Sequence, residues 1–273
     1  MRVFIFPDSD QTSEAAAAFI RAGIAAAGES PRVVFPTGGT AEDFYAALQA
    51  QGADFGQIEA FHLDNYVGLK PELMREDYGV FLTRWLFDPM NVPEAQRHVI
   101  AQCGTVEEAE AEAARYDALV SAEPIDLCIL GIGVNGHIAF NEPGTPKTQR
   151  TSCVRISENT RVVNARYFPS LEDVPTHAIS MGIANIREAR RILLVAHGAR
   201  KAMAVDAGIG RAEDEVFPVS LIQDHSDYVM LLDNAAAAYV LGRAAFGEVG
   251  ALPAIFTLPG ADAARANFPE LFA

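Results

Sequence analysis

Short runs of apolar and β-branched residues recur along the chain at Arg2–Phe6, Arg32–Phe35, Ile58–Leu63, Ile125–Leu130, Arg191–Ala196, Tyr228–Leu232 and Ala254–Leu258. They are near-continuous rather than alternating, so each reads as a strand buried on both faces. Between them lie Ala-rich stretches with helical spacing: Thr12–Ala27, Thr40–Gln51, Thr105–Ala122 and Asn234–Phe246. Two of these open on a capping pattern, Thr40-x-x-Asp43 and Thr105-x-x-Glu108, in which a hydroxyl and a carboxylate satisfy the first free N–H groups of a helix. Strands alternating with helices of this length predict right-handed crossovers and a mainly parallel sheet covered on both faces. The expected class is α/β, Rossmann-like, in a single domain over 1–273. One long polar segment, from about Gly131 to Ser170, has no clear period, and such a stretch inside a compact domain is usually functional.

Composition narrows the classes. Half of the 273 residues are hydrophobic, enough for a sizeable core. No apolar run reaches the length of a membrane span, and the N-terminal run is too short for a signal segment, so a cytoplasmic protein is expected. Cys103, Cys128 and Cys153 are odd in number and widely spaced, which predicts reduced thiols. A formal charge of −15 repels nucleic acid and anionic lipid. An anionic ligand must therefore be gathered by a local cluster of donors.

In an open parallel sheet, ligands bind beyond the carboxyl ends of strands. The second strand run ends in Phe35-Pro-Thr-Gly-Gly-Thr40 and passes straight into a helix, where backbone N–H groups and the positive helix terminus suit a phosphate, or simply make a tight turn. The third ends at Asp64, either a rim carboxylate fit for general-base work or a turn residue bonded to its own backbone. The fourth leads into Gly131-Ile-Gly-Val-Asn-Gly-His-Ile-Ala-Phe-Asn-Glu-Pro-Gly-Thr145. There Asn135, His137 and Glu142 form a candidate proton-transfer set around an imidazole that titrates near neutrality. His62, His98, His177, His197 and His225 have no comparable setting, and no two histidines show metal spacing, so no metal is expected.

Five ordered motifs carry a resemblance over nearly the whole chain: Pro36–Thr40, Leu63–Leu69, Gly131–Gly144, Asn159–Phe168 and Val174–Gly182. They resemble the glucosamine-6-phosphate deaminases, also called isomerases. The wider superfamily includes 6-phosphogluconolactonases, but Gly-His-Ile-Ala-Phe-Asn-Glu-Pro looks like the deaminase branch. The resemblance implies conversion of glucosamine 6-phosphate to fructose 6-phosphate and ammonia without a cofactor. By the same resemblance, His137 opens the sugar ring with help from Asn135 and Glu142, and Asp64 moves a proton between carbon-2 and carbon-1. Gly38, Gly39 and Thr40 would cradle the phosphate, Arg166 and Lys201 would clamp it, and about 145–170 would form a lid. Galactosamine 6-phosphate is the nearest alternative substrate. Lactone hydrolysis and a silent sugar-phosphate sensor are the remaining rivals.

The chain departs from the family in four places. Asn135 stands where some relatives have Asp, which removes a charge and keeps a hydrogen bond. Asn65 replaces a common Glu beside Asp64, and the lost charge is expected to lower the pKa of Asp64 if the two side chains lie close. Ala41 replaces a frequent Pro at the helix start. In Ser152-Cys-Val-Arg155 only Arg155 is basic, so activation by an N-acetylated sugar phosphate is not expected.

Overall fold

In the computed structural model, which describes residues 1–246 and 254–272, the seven expected strands are present within a residue or two of their predicted bounds. The strands are β1 (Arg2–Phe6), β2 (Arg32–Phe35), β3 (Glu59–His62), β4 (Asp64–Val67), β5 (Arg97–His98), β6 (Leu127–Leu130), β7 (Ser152–Arg155), β8 (His177–Ser180), β9 (Arg191–Ala196), β10 (Tyr228–Asp233) and β11 (Ala254–Thr257). The helices are α1 (Ser9–Ala26), α2 (Gly39–Ala50), α3 (Tyr78–Leu82), α4 (Val106–Ser121), α5 (Glu158–Asn164), α6 (Ile183–Arg187), α7 (Ala202–Ala207), α8 (Ala238–Ala245), α9 (Ala261–Asn267) and α10 (Pro269–Phe272).

Among the described residues, eight strands form one sheet in the order β11-β1-β10-β9-β6-β2-β3-β5, with every pairing parallel. Successive strand residues enter opposite cores, as the pleat requires. Val3, Ile5, Cys128, Leu130, Ile192 and Leu194 join the layer that includes α4 and α8. Phe4, Phe6, Leu127, Ile129, Leu193 and Val195 join the layer that includes α1 and α2. This double burial explains why the runs showed no alternation of apolar and polar residues.

A second sheet, β4-β8-β7, is antiparallel and lies beyond the end of β3. Its strands were not anticipated. β7 is short and only partly buried, and β4 follows β3 after a single residue, so the apolar run that marks β3 stops at Leu63 and leaves β4 unmarked. The reading of Asp64 as a turn residue bonded to its own backbone fails, because Asp64 is a strand residue paired with Ser180. The predicted cap at Thr40 also fails: α2 is N-capped by Gly38 with no side-chain cap. Thr105 and Glu108 form the full capping box at α4. No helix among the described residues is long and apolar enough to cross a membrane.

Candidate active site

The chain runs from β2 through α2 to β3 on one side, then returns through β6 to the other side of β2. The loops after β2 and β6 therefore part company, and a crevice opens between them, where a parallel sheet binds its ligands. A cavity of about 710 Å³ occupies it. Its walls come from the loops after β2, β3, β6 and β9, with α5 and the turn that follows it on the open side. Eight of the nine expected site residues line the cavity: Gly38, Gly39, Thr40, Asp64, Asn135, His137, Arg166 and Lys201. Glu142 stands one layer back, where it accepts a hydrogen bond from Asn135 Nδ2 at 2.9 Å.

At one end, Gly38 carries φ +96°, a conformation that L side chains rarely adopt, and nothing crowds the place of a Cβ there. Its carbonyl accepts from the N–H groups of Ala41 and Glu42, so α2 begins with its free N–H groups at the cavity wall. Lys201 Nζ donates to the carbonyl of Ile132 at 2.5 Å. Burial, then the neighbouring Arg200 and Arg166, brings its pKa down to about 8. The loop that carries Lys201 is held from below, because both carboxylate oxygens of Asp233 accept from the N–H of Gly198 at 3.0 Å. Arg166 is exposed and lies over the ring of Tyr167, 4.7 Å from its centroid.

At the centre, the His137 ring packs directly on Gly133, where a Cβ would fall 2.3 Å from Cε1. The loop holds Ala139 at φ +52°, a left-handed conformation that costs a non-glycine residue about 1 kcal/mol. Asn135 helps His137 through its backbone and makes no bond to the ring. Asn135 Oδ1 accepts from the backbone N–H of His137 at 3.3 Å, not from the ring. The ring's Nδ1 instead meets Thr160 Oγ1 at 3.4 Å and Glu142 Oε2 at 3.7 Å. Burial lowers the pKa of His137; Glu142 opposes that shift and Lys201 adds to it. The resting imidazole is thus neutral at pH 7, able to accept a proton.

At the other end, Asp64 is 7% exposed. Burial alone pushes its pKa from 3.8 up to about 7. The expected downward pull from Asn65 is absent. Successive strand residues face opposite ways, and Asn65 points to Asp77 and Ile100 instead.

Sequence reasoning missed Thr160, Tyr78 and His197, which all line the cavity. His197 was set aside, yet it follows β9 and places Nε2 3.0 Å from the Asp43 carboxylate. Reading the carboxyl end of the Arg191–Ala196 strand for unusual residues, as was done for the others, would have found it.

The family of glucosamine-6-phosphate isomerases and 6-phosphogluconolactonases matches residues 7–231. A glucosamine-6-phosphate deaminase of Bacillus pumilus is 40% identical over 245 residues, covering 87% of this chain and 99% of the relative. That of Enterococcus faecalis is 40% identical over 202 residues, 74% of this chain and 84% of the relative. The solved structure of a monomeric glucosamine-6-phosphate deaminase superposes with a TM-score of 0.80 at 36% identity, covering 87% of this chain and 99% of that one. The 6-phosphogluconolactonase of Trypanosoma brucei shares the fold at a TM-score of 0.67 and 19% identity, covering 88% and 98% of the two chains. With a match spanning most of its length and relatives aligned almost end to end, the chain belongs to the glucosamine-6-phosphate isomerase/6-phosphogluconolactonase family.

Proposed function

We propose that the protein is a glucosamine-6-phosphate deaminase, converting glucosamine 6-phosphate and water to fructose 6-phosphate and ammonia. The observation that carries this reading is Asp64, a carboxyl on the cavity wall poised near pH 7 by burial. Hydrolysis of a lactone needs only an activated water. Moving a proton between adjacent carbons needs a base on the sugar's face whose pKa lies near the working pH.

The phosphate rests on the N–H groups at Gly38, Gly39 and Thr40, with Lys201 and Arg166 as cations beside it. His137 takes the proton of the anomeric hydroxyl, and the ring oxygen receives a proton as the pyranose opens. Glu142, 3.7 Å from Nδ1, favours the imidazolium that forms. Asp64 then removes the carbon-2 proton and returns it to carbon-1, leaving an imine at carbon-2. Water adds there, and ammonia departs. Residues 145–170 act as the lid: α5 and the turn after it bring Thr160, Arg166 and Tyr167 to the cavity, and closure limits water at the intermediate. Three free thiols fit a reducing, cytoplasmic compartment.

A coupled assay for ammonia, run on glucosamine 6-phosphate and galactosamine 6-phosphate side by side, tests the reading. Turnover is expected on the first at least tenfold above the second. Hydrolysis of 6-phosphogluconolactone with no ammonia from either sugar would overturn it.

A further inference from the structure

Asn65 is 1% exposed and uses every hydrogen-bonding site of its amide. Oδ1 accepts from the backbone N–H of Tyr66 at 2.9 Å and of Tyr78 at 3.1 Å. Nδ2 donates to the Asp77 carboxylate at 2.9 Å and to the carbonyl of Ile100 at 3.2 Å. Asp77 is fixed in turn: Gln102 donates to Oδ2 at 2.6 Å, and the N–H of Val80 donates to Oδ1 as the N-cap bond of α3. One side chain thus ties the strand that carries Asp64 to the helix that follows it.

The two tied backbones carry rings within electrostatic reach of Asp64. Tyr66 and Tyr78 lie 4.8 Å apart between centroids. Phe140, from the loop of His137, packs on both at 5.5 and 6.2 Å. Tyr66 shares a strand face with Asp64, and Tyr78 lines the cavity beside it. We propose that Asn65 is a positioning residue for the reacting end of the cavity: its amide holds the Tyr66–Tyr78–Phe140 cap that keeps water from the Asp64 carboxylate. The inference rests on the reading of Asp64 as the base.

An amide is required here by charge. With Asp77 2.9 Å away, a carboxylate at this position would face another carboxylate and lose the donor to Ile100. The network's negative charge sits on the cap of α3 instead of beside Asp64 on its own strand. The groups around Asp64 fit a purely apolar mode of control. Tyr66 and Tyr78 are within electrostatic reach, and burial raises both phenols, so they stay neutral. β8 contributes Ser180 and the catalytic loop Phe140, neither charged. Asp77 and His62 belong to the far side of the strand, with Asn65.

The test is an Asn65→Ser variant, with the Asp64 carboxyl titrated by carbon-13 NMR in the resting protein and assigned by its absence in Asp64→Asn. Loosening the cap admits water, so the Asp64 titration and the acidic limb of kcat are both expected to fall by about one pH unit or more, with KM little changed. The pair Asn65→Asp with Asp77→Asn should restore part of that loss, and Asn65→Asp alone should not. Asn65→Gln, which keeps the amide one methylene out of place, gives the same reading if the serine variant does not fold. A folded variant whose Asp64 titrates as in the parent overturns the proposal. A titration that moves without the kinetic limb supports the cap and instead removes Asp64 from its role as base.

Discussion

The two ends of the cavity handle charge in opposite ways. The end at Gly38, Arg166 and Lys201 gathers donors and cations at a partly open wall, in a protein whose formal charge is −15. The end at Asp64 is largely buried, and its carboxyl is shifted by burial with no ionic partner among the described residues. A phosphate can be held by fixed donors in many arrangements, because its charge is the same throughout the reaction. A carbon acid needs a base whose pKa is set, and here that setting comes from what is kept away. On the proposed reading, binding and reactivity are thus built by different physics within one cavity.

Asp64→Asn breaks this contrast most severely. It should abolish exchange of solvent protons into the substrate carbon and lower kcat by about 10³-fold or more, with KM nearly unchanged. The same substitution should stabilise the fold. The folded carboxyl, with a pKa of about 7 against 3.8 unfolded, keeps a proton that the unfolded chain loses between those values. Its cost is therefore absent below about pH 4, grows through that window and is complete above pH 7, at up to about 4 kcal/mol. Urea denaturation should show Asp64→Asn more stable than the parent at pH 8 and similar to it at pH 4. Equal stability at both would mean that the burial of Asp64 carries no such cost.

How much of this was legible in the sequence follows the same divide. The phosphate end depends on backbone conformation and helix starts, which Pro36-Thr-Gly-Gly-Thr40 announces through its glycines. The large sheet was legible because runs such as Ile125–Leu130 are buried on both faces. The Asp64 end was not, because its character depends on contacts distant in the chain: Asn65 with Asp77 and Ile100, Tyr66 with Phe140 and Asn164. Nothing local in Asp-Asn-Tyr-Val says that the Asn turns away from the Asp until the strand is known to be one. The same holds for Thr160, which reaches His137 only once α5 is in place.

Gly133→Ala separates space from conformation at the midpoint between the ends. The glycine is needed because the His137 ring occupies the place of a Cβ. Adding a methyl group must push the imidazole aside, and a displacement near 1 Å at a reacting group costs about 10²-fold. The loss should appear in kcat/KM for the closed sugar and be smaller for an open-chain analogue, since only ring opening uses the imidazole. Equal losses on both would place His137 outside that step.

Lys201→Arg is the mildest change and tests the cationic end through its pH dependence. The ammonium of Lys201 is charged below its pKa of about 8 and neutral above it, so the parent should bind phosphate progressively less well as the pH rises through that value. A charge-assisted hydrogen bond contributes about 1.5–3 kcal/mol, which sets the expected rise in KM between pH 7 and pH 9.5 at about tenfold or more. Arginine does not deprotonate in this range, so its KM should stay flat on the alkaline side. At pH 7 it should be a few-fold worse than the parent, because a planar fork fits less well than a point donor against the carbonyl of Ile132. The acidic limb of kcat, which belongs to Asp64 at the far end, should not move in this variant. An alkaline rise in KM that survives the substitution would assign it to another group and leave Lys201 without a role in holding the phosphate.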